Sequence, residues 1–197
     1  MASPENLVYE LPSILDRLDF ARLFPKPQPV EFELGCGDGS FLIDHAAGSP
    51  ERNFLGVERL LGRIRKVDRK GRRLGLNNVR AIRIEASYFL EFLLPPASVE
   101  AVHIYFPDPW PKARHERHRL IQPGFPHLVH RALRPGGRVF LRTDDPDYRD
   151  RMIEVFERDT RFRATDTPEP LAAIWTDFER DFHLAGRPIF RVAFQMG

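Results

Sequence analysis

Apolar and polar residues along the chain form short segments that predict a regular succession of strands and helices. Runs rich in β-branched and aromatic residues predict strands, and apolar residues recurring every three or four positions predict helices. The predicted strands are Val30–Leu34, Asn53–Val57, Val79–Ile84, Val99–Phe106 and Arg138–Arg142. The predicted helices are Ser40–Ala47, Leu60–Leu74, Ser87–Leu94, one within Leu120–Leu133 that begins near Pro126, and one that follows Asp145 to about Arg158. This alternation predicts a doubly wound α/β fold with a parallel sheet.

Both ends of the chain depart from the alternation. Near the C terminus, Phe162–Ala164 and Ile189–Phe194 predict two further strands without a clear crossover helix between them, and such strands pair antiparallel. We therefore predict a mostly parallel seven-stranded sheet with an antiparallel C-terminal strand. Leucines between residues 7 and 18 have partly helical spacing, and prolines follow at residues 25–29. They predict an N-terminal extension over residues 1–29, with a short helix and a proline-rich linker, before a single domain over residues 30–197.

Composition indicates a soluble protein of the cytoplasm. A chain of 197 residues suits one well-buried domain. Its uninterrupted apolar runs stay short of the roughly 18 residues that a membrane span needs. The first residues lack the basic and apolar regions of a signal peptide. Cys36 is the one cysteine, so no internal disulfide is possible, and a reducing compartment is expected.

The positive charges are mainly arginine and are clustered. Of 30 basic residues only four are lysine, which suits phosphate binding but is equally explained by a G+C-rich genome. Two runs, Arg63–Arg73 and Lys112–Arg119, concentrate the positive charge. Clustering of this kind is typical of a nucleic-acid-binding surface, although the first run is also compatible with a solvated helix face.

A glycine-rich turn follows the first predicted strand and indicates a nucleotide or nucleoside site. Gly35 and Gly37 allow the backbone to approach a ligand at the N terminus of the next helix. Glu58 ends the second strand, nineteen residues after Gly39, where a ribose-binding carboxylate is expected. An alternative is that Glu58 only caps the following helix. Glu33 is charged within a buried pattern and therefore needs a partner.

The fourth strand runs directly into a stiff loop that carries polar and aromatic side chains. Prolines at positions 107, 109 and 111 prevent the strand from continuing. The loop presents Asp108, Trp110 and Lys112 at the carboxyl end of a strand. Since ligands of open α/β sheets bind at that edge, we expect this loop to belong to the functional site.

Together these motifs resemble the tRNA (guanine-N7)-methyltransferase family, which consists of class I, S-adenosylmethionine-dependent enzymes with a Rossmann-like fold. The resemblance runs from about Val30 to the C terminus. Its most specific part is Phe106-Pro-Asp-Pro-Trp-Pro-Lys112 followed by Arg114-His115. The other matching motifs, in order, are Glu33-Leu-Gly-Cys-Gly-Asp-Gly39, Gly56-Val-Glu58, Thr143-Asp144 and Thr176-Asp-Phe-Glu179.

The resemblance implies a division of the site residues between cofactor and substrate. S-adenosylmethionine would contact Glu33, Gly35, Gly37, Glu58, Glu85 and Asp108, with Asp108 nearest the reaction. The tRNA guanosine, position 46 of the variable loop in this family, would contact Lys112, Asp144, Thr176, Asp177, Phe178 and Glu179. The chain departs from the usual family pattern at Glu85, where aspartate is common, and at His118, where arginine is common. Thr176 and Glu179 also have the spacing of a helix capping box, which would explain them without a substrate.

Several other functions remain to be distinguished. A non-catalytic RNA-binding or scaffold subunit would retain the fold without needing the cofactor residues. An NAD-dependent dehydrogenase would show the longer GxGxxG spacing, and a small-molecule methyltransferase would not need the basic run. Histidines paired at helical spacing, His115 with His118 and His127 with His130, lack further ligands, so no metal is predicted. We expect tRNA as the partner, no DNA and no membrane, and a monomer or homodimer.

Overall fold

The computed structural model describes residues 6–110 and 113–197. Seven strands form one sheet within these residues, in the order β3-β2-β1-β4-β5-β7-β6. The first five strands are parallel, and β7 is antiparallel to β5 and β6. Their bounds are β1 Val30–Leu34, β2 Asn53–Glu58, β3 Val79–Arg83, β4 Val99–Tyr105, β5 Leu133–Thr143, β6 Phe162–Thr165 and β7 Phe190–Met196. The predicted fold class is confirmed.

Helices cover both faces of the sheet. They are α1 Phe20–Leu23, α2 Ser40–Gly48, α3 Leu61–Arg73, α4 Ala86–Tyr88 with a π-helical turn at Phe89–Leu93, a 3₁₀ helix at Ala113–His118, α5 Phe125–Ala132, α6 Pro146–Glu157, α7 Glu169–Ala172 and α8 Asp177–Leu184. Among the described residues, no helix is long and apolar enough to cross a membrane. The helix predicted to begin near Pro126 begins at Phe125, since proline is tolerated in the first helical turn.

Side chains of β1 alternate between two packing environments. Val30, Phe32 and Leu34 join the large apolar core that also contains side chains of α5 and α6. Glu31 and Glu33 point to the opposite face, where α2 and α3 pack. Both carboxylates are buried, so each requires polar or charged neighbours on that face.

A local irregularity changes the start of the fifth strand. The residues from Arg134 to Gly137 precede the predicted strand Arg138–Arg142, but they lie within β5. Val99 pairs with Leu133, whereas Ala101 pairs with Arg138, so two steps along β4 correspond to five along β5. The extra residues of β5 therefore bulge from the ladder, as is common where a strand must bend.

The N-terminal segment takes a different path from the one predicted. The N-terminal extension contains a short helix, α1, but it lies at Phe20–Leu23. The prediction of a helix between residues 7 and 18 is therefore wrong. Residues 7–9 are extended along the edge of β3, where the Leu7 carbonyl accepts a hydrogen bond from Ala81 N at 2.8 Å and Tyr9 N donates to Ala81 O at 2.9 Å. An exposed strand edge offers unpaired backbone groups, and their pairing outweighs weak helix periodicity.

Leu7 is accommodated by a glycine in α3. A Cβ atom placed on Gly71 would lie 2.4 Å from Leu7 Cδ1, so a larger residue there would require this leucine to shift. The Leu7 N–H donates a hydrogen bond to Asp68 Oδ1 at 2.9 Å, and Asp68 lies one turn before Gly71 in α3. The leucine is thus held by both its backbone and its side chain, and it is only 1% exposed.

We expect Leu7→Ala to lower the free energy of unfolding by about 2–4 kcal/mol, because it removes buried methyl groups and leaves a cavity against α3. Leu15 is 82% exposed in the same segment and provides the matched control. Leu15→Ala should change that free energy by no more than about 0.5 kcal/mol. Urea unfolding of both variants measures the difference. Equal effects would show that the N-terminal segment is not docked in solution.

Candidate active site

Most of the predicted site residues lie at the carboxyl edge of the parallel strands. Glu58 ends β2, and Glu85, Asp108 and Asp144 follow β3, β4 and β5 within three residues. The N terminus of α8 reaches the same edge, because Asp177 N donates to Ser40 Oγ at 3.0 Å at the start of α2. Lys112 lies outside the described residues. The sheet therefore brings together motifs that are far apart in the chain.

The glycine turn forms an open backbone surface after β1. Gly35 N and Cys36 N both donate to Val57 O, at 2.8 and 3.0 Å, which holds the turn against β2. Gly35 and Gly37 have φ angles of +76° and +57°, values that favour glycine. A Cβ atom on Gly35 would meet no atom within 4 Å, so the space above the turn is free for a ligand.

Cys36 within this turn is packed into the protein interior. The side chain is buried, and burial raises the pKa of the Cys36 thiol well above its ordinary value. A protonated, enclosed thiol has little nucleophilic reactivity. Cys36 packs with Leu42 and Phe54 in the small core of this face, as expected for a small residue in a tight turn.

Glu58 links the glycine turn to the loop before α3. Its Oε2 accepts a hydrogen bond from Gly37 N at 3.2 Å, and its Oε1 accepts one from Leu60 N at 2.9 Å. The Arg63 guanidinium lies 3.6 Å away. Glu58 thus accepts a hydrogen bond from Leu60, which precedes α3, and Glu58 is not itself the N-cap residue of that helix. The carboxylate thus sits directly beside the glycine turn, and its predicted role in ribose binding stays a prediction.

Glu33 is fully enclosed and incompletely bonded. Its Oε2 atom is buried without a hydrogen-bond partner among the described residues. Burial raises the pKa of Glu33 well above its usual value, although the nearby charge of Arg142 opposes the rise. An unbonded buried oxygen is costly unless a ligand or water supplies a partner. Together with the open surface over Gly35, this oxygen fits a ligand that carries polar groups.

Glu85 caps the short helix α4. Its two carboxylate oxygens accept hydrogen bonds from Ser87 N at 2.9 Å and Tyr88 N at 2.8 Å. The residue is exposed at the carboxyl edge, on the far side of Glu58 from Asp108. Its predicted role in cofactor binding stays a prediction, and its longer side chain is used here to satisfy the helix N terminus.

The loop after β4 leaves the sheet in an unusual conformation. Phe106 and Trp110 have φ angles of +52° and +43°, which are uncommon for residues other than glycine. The Phe106 N–H donates to Arg142 O at 2.8 Å, and the Phe106 ring packs edge-on against Phe182 of α8 at 5.3 Å. Asp108 is exposed between them in the chain. Backbone strain of this kind is concentrated at functional sites.

The N terminus of α8 is a complete capping box. Thr176 Oγ1 accepts a hydrogen bond from Glu179 N at 3.0 Å, and Glu179 Oε2 accepts one from Thr176 N at 2.9 Å. The capping interpretation of these two residues is therefore correct. Their predicted contact with the tRNA guanosine stays a prediction, since Glu179 is 0% exposed. Phe178 beside them is 48% exposed and presents its ring to solvent.

Charged side chains connect α8 to the loops around it. Lys70 Nζ lies 2.9 Å from Asp38 Oδ2 and 3.7 Å from Asp177 Oδ2, which joins the glycine turn to α8. Asp144 forms an ion pair with Arg187, whose guanidinium also lies 4.4 Å from the centre of the Phe182 ring. Asp144 and Asp177 thus face the same edge, but each already has a cationic partner.

Sequence reasoning missed the residue that anchors this arrangement. Arg142 is the penultimate residue of β5 and forms an ion pair with Glu179 at 2.6 Å, and both side chains are buried. Arg191 of β7 bonds the other oxygen of Glu179 at 2.8 Å. An arginine at the end of the apolar run Val139-Phe-Leu141 was the available signal, because a buried charge requires a partner.

Comparison with solved structures supports the fold. The crystal structure of the 16S rRNA methyltransferase KamB matches with a TM-score of 0.63 and 18% identity, over 90% of this chain and 92% of that one. Geranyl diphosphate C-methyltransferase from Streptomyces coelicolor, solved with geranyl diphosphate and S-adenosyl-L-homocysteine, matches with a TM-score of 0.58 and 15% identity, over 88% and 74% of the two chains. At these identities the likeness concerns the fold.

Comparison with protein sequences is more specific. Residues 27–192 match the model of a family described as putative methyltransferase. The tRNA (guanine-N(7)-)-methyltransferase of Halorhodospira halophila is 39% identical over 83% of this chain and 73% of its own length. The enzyme of that name from Leifsonia xyli is 38% identical over 90% and 81%. With this identity over most of both chains, and with the motifs of the family gathered at one edge of the seven-stranded sheet, the chain belongs to the tRNA (guanine-N(7)-)-methyltransferase family.

Proposed function

We propose that this protein transfers a methyl group from S-adenosylmethionine to N7 of a guanosine in tRNA. The observation that carries the proposal is the contact of α8 with the glycine turn through Asp177 and Ser40, at 3.0 Å. This contact joins the predicted substrate motif to the predicted cofactor motif at the edge that also carries Asp108. Membership of the family supports the chemistry, and position 46 of the variable loop is the proposed target.

The cofactor would occupy the space over the glycine turn. Glu58 would bind the ribose hydroxyls, because the hydrogen bond from Gly37 N holds its carboxylate beside the glycine turn. Gly35 leaves room for the close approach of the ligand, and Glu33 has an unbonded oxygen to offer it. When bound, S-adenosylmethionine supplies an electrophilic methyl group. The role of the protein is to hold that group in line with N7 and to exclude water.

The reaction requires little acid or base chemistry from the protein. Guanine N7 carries an in-plane lone pair, so no proton has to be removed before it forms a bond to the methyl carbon. The product guanine is cationic, and a nearby carboxylate would stabilise the developing charge. Asp108 is proposed for this role because it is exposed and lies on the strained loop after β4. Asp144 is the second carboxylate, although it is paired with Arg187.

The target base would lie between the loop after β4 and α8. Phe178 offers an exposed aromatic face, and Thr176 and Asp177 lie beside it at the N terminus of the helix. An unstacked base is commonly held by such a ring. We assign Glu179 to positioning, because its carboxylate holds α8 against Arg142. Lys112, from its place in the sequence motif, is proposed to donate to guanine O6.

The expected setting follows from this substrate. A tRNA-modifying enzyme with a single cysteine fits the cytoplasm. The exposed Arg65, Lys66, Arg69 and Arg73 lie along α3, which follows the Glu58 loop, and their positive charge suits a polyanion. A monomer or homodimer remains the expected assembly.

Incubation with radiolabelled S-adenosylmethionine and unmodified bulk tRNA tests the proposal directly. We expect incorporation of label, and cleavage chemistry specific for N7-methylguanosine should locate it at one variable-loop guanosine. Cofactor binding without labelled tRNA would reject the tRNA reaction and favour a non-catalytic RNA-binding subunit. Label at another atom or in another RNA would reject the assigned substrate.

Asp108→Ala should reduce the single-turnover rate by about 100-fold or more, because removal of one preorganised electrostatic contact to a transition state commonly costs that much. The tRNA dissociation constant should change by less than about threefold, since phosphate contacts dominate affinity. Asp166→Ala, at an exposed position on the loop after β6, is the control and should retain the wild-type rate. A normal single-turnover rate in Asp108→Ala would contradict the role of Asp108.

Glu58→Gln should weaken S-adenosylmethionine binding by about tenfold or more, because hydrogen bonds to a charged group contribute about 1.5–3 kcal/mol. Isothermal titration calorimetry with the cofactor measures this change without any tRNA. Glu10→Gln is an exposed control with the same chemical change and should bind as the wild type does. Unchanged affinity in Glu58→Gln would show that Glu58 serves only the loop before α3.

A further inference from the structure

A carboxylate and two imidazoles converge on the α2 face of the sheet, nearer to the amino ends of the strands than the proposed active site. Glu31 belongs to β1, His45 to α2 and His103 to β4. Glu31 Oε2 lies 2.8 Å from His103 Nε2 and 3.0 Å from His45 Nε2. The three potential ligand atoms all lie within 4.8 Å of one another.

We propose that Glu31, His45 and His103 form a transition-metal site, with Zn²⁺ as the best-suited ion. Two imidazole nitrogens and one carboxylate oxygen are a ligand set that zinc uses with an open fourth position. The proposal does not depend on the methyl-transfer function. It would add a metal ion to a protein whose reaction does not call for one.

The two distances from Glu31 to the imidazoles are close to those between neighbouring ligands of a metal centre. Zinc bonds of about 2.0–2.2 Å in tetrahedral geometry separate neighbouring ligand atoms by about 3.3 Å. The two bonded pairs, at 2.8 and 3.0 Å, need to lengthen by about half an ångström or less for an ion to replace the shared protons. Side-chain rotation alone supplies movements of this size.

The two carboxylate oxygens of Glu31 contact different partners. Oε2 faces both imidazoles, whereas Oε1 accepts a hydrogen bond from Arg52 Nη1 at 2.9 Å. The same Arg52 nitrogen lies 2.7 Å from Glu100 Oε2, so its charge is shared with a second carboxylate. Arg52 can therefore orient Glu31 without occupying the oxygen that would bind the metal, as outer-shell partners of metal ligands do.

The imidazole of His103 also has an outer-shell partner. Its Nδ1 lies 2.9 Å from the Tyr105 hydroxyl, which leaves Nε2 directed at Glu31. Phe140 stacks on the His103 ring at 5.4 Å, and Phe54 packs edge-on against the His45 ring at 4.7 Å. Contacts to the second ring nitrogen and to the ring faces hold a metal-binding imidazole in orientation.

An open cleft gives access to the cluster. Its volume is about 770 Å³, and Glu31, His45 and Arg52 are among the residues that line it, together with residues 134–138 of the β5 bulge. His103 is fully buried behind them. A metal ion would enter from the cleft and keep its fourth position toward it, where a water molecule completes the coordination.

Zinc binding by the metal-free full-length protein tests this site. Titration against a chromophoric chelator should detect one equivalent of Zn²⁺, and Co²⁺ should give the strong visible absorption of a tetrahedral centre. His45→Ala should lower the affinity by at least about 100-fold, because it removes a direct ligand, and Tyr105→Phe by about tenfold through the outer shell. Both variants are first checked for an unchanged circular dichroism spectrum.

His127→Ala is the matched control, since His127 is an exposed histidine on α5 outside the cluster. It should bind Zn²⁺ as tightly as the wild type and show the same Co²⁺ spectrum. Absence of a stoichiometric site in the wild type would overturn the proposal. Affinity that survives in His45→Ala but falls in His127→Ala would also overturn it, because the ion would then bind surface histidines. Both outcomes concern the zinc site alone, and the methylation assay tests the proposed function separately.

Discussion

The buried ion pair between Arg142 and Glu179 determines where the C-terminal part of the active site lies. Arg142 is 1% exposed and Glu179 is 0% exposed, and their charged atoms are 2.6 Å apart. Arg142 also donates to the carbonyl oxygens of Ile174 and Leu171 at 2.7 and 2.8 Å. Removing one partner of such a pair leaves an uncompensated buried charge, which is strongly unfavourable. The segment from α7 to α8 is therefore held at the end of β5.

This anchoring explains how a helix late in the chain contributes to a site built on parallel strands. With Glu179 held by Arg142 and Arg191, the first turn of α8 reaches Ser40 beside the glycine turn. The exposed ring of Phe178 then faces the edge where the loop after β4 emerges. The antiparallel strand β7 contributes to the same anchoring, because it places Arg191 next to Arg142 of β5.

A continuous polar layer crosses the α2 face of the sheet. The Tyr105 hydroxyl bonds His103, and the Arg142 guanidinium lies 4.1 Å from the centre of the Tyr105 ring. One end of the layer is the Glu31 cluster beside the cleft, and the other is the Arg142 ion pair at the active-site edge. The layer lies among apolar side chains such as Phe41 and Phe140, so its members depend on one another for hydrogen bonds and charge balance.

By itself the sequence determined the succession of strands and helices, the antiparallel C-terminal strand and the motifs at the strand ends. Hydrophobic periodicity and glycine or proline turns act over a few residues, so they can be read locally. The sequence did not determine the path of residues 7–9, which follow a strand edge instead of forming a helix. Tertiary structure alone decided the pairing of Arg142 with Glu179 and the convergence of Glu31, His45 and His103, since these partners are 37, 14 and 72 positions apart. Such contacts arise from the packing of α2 and α8 on the sheet, and no local pattern in the chain encodes them.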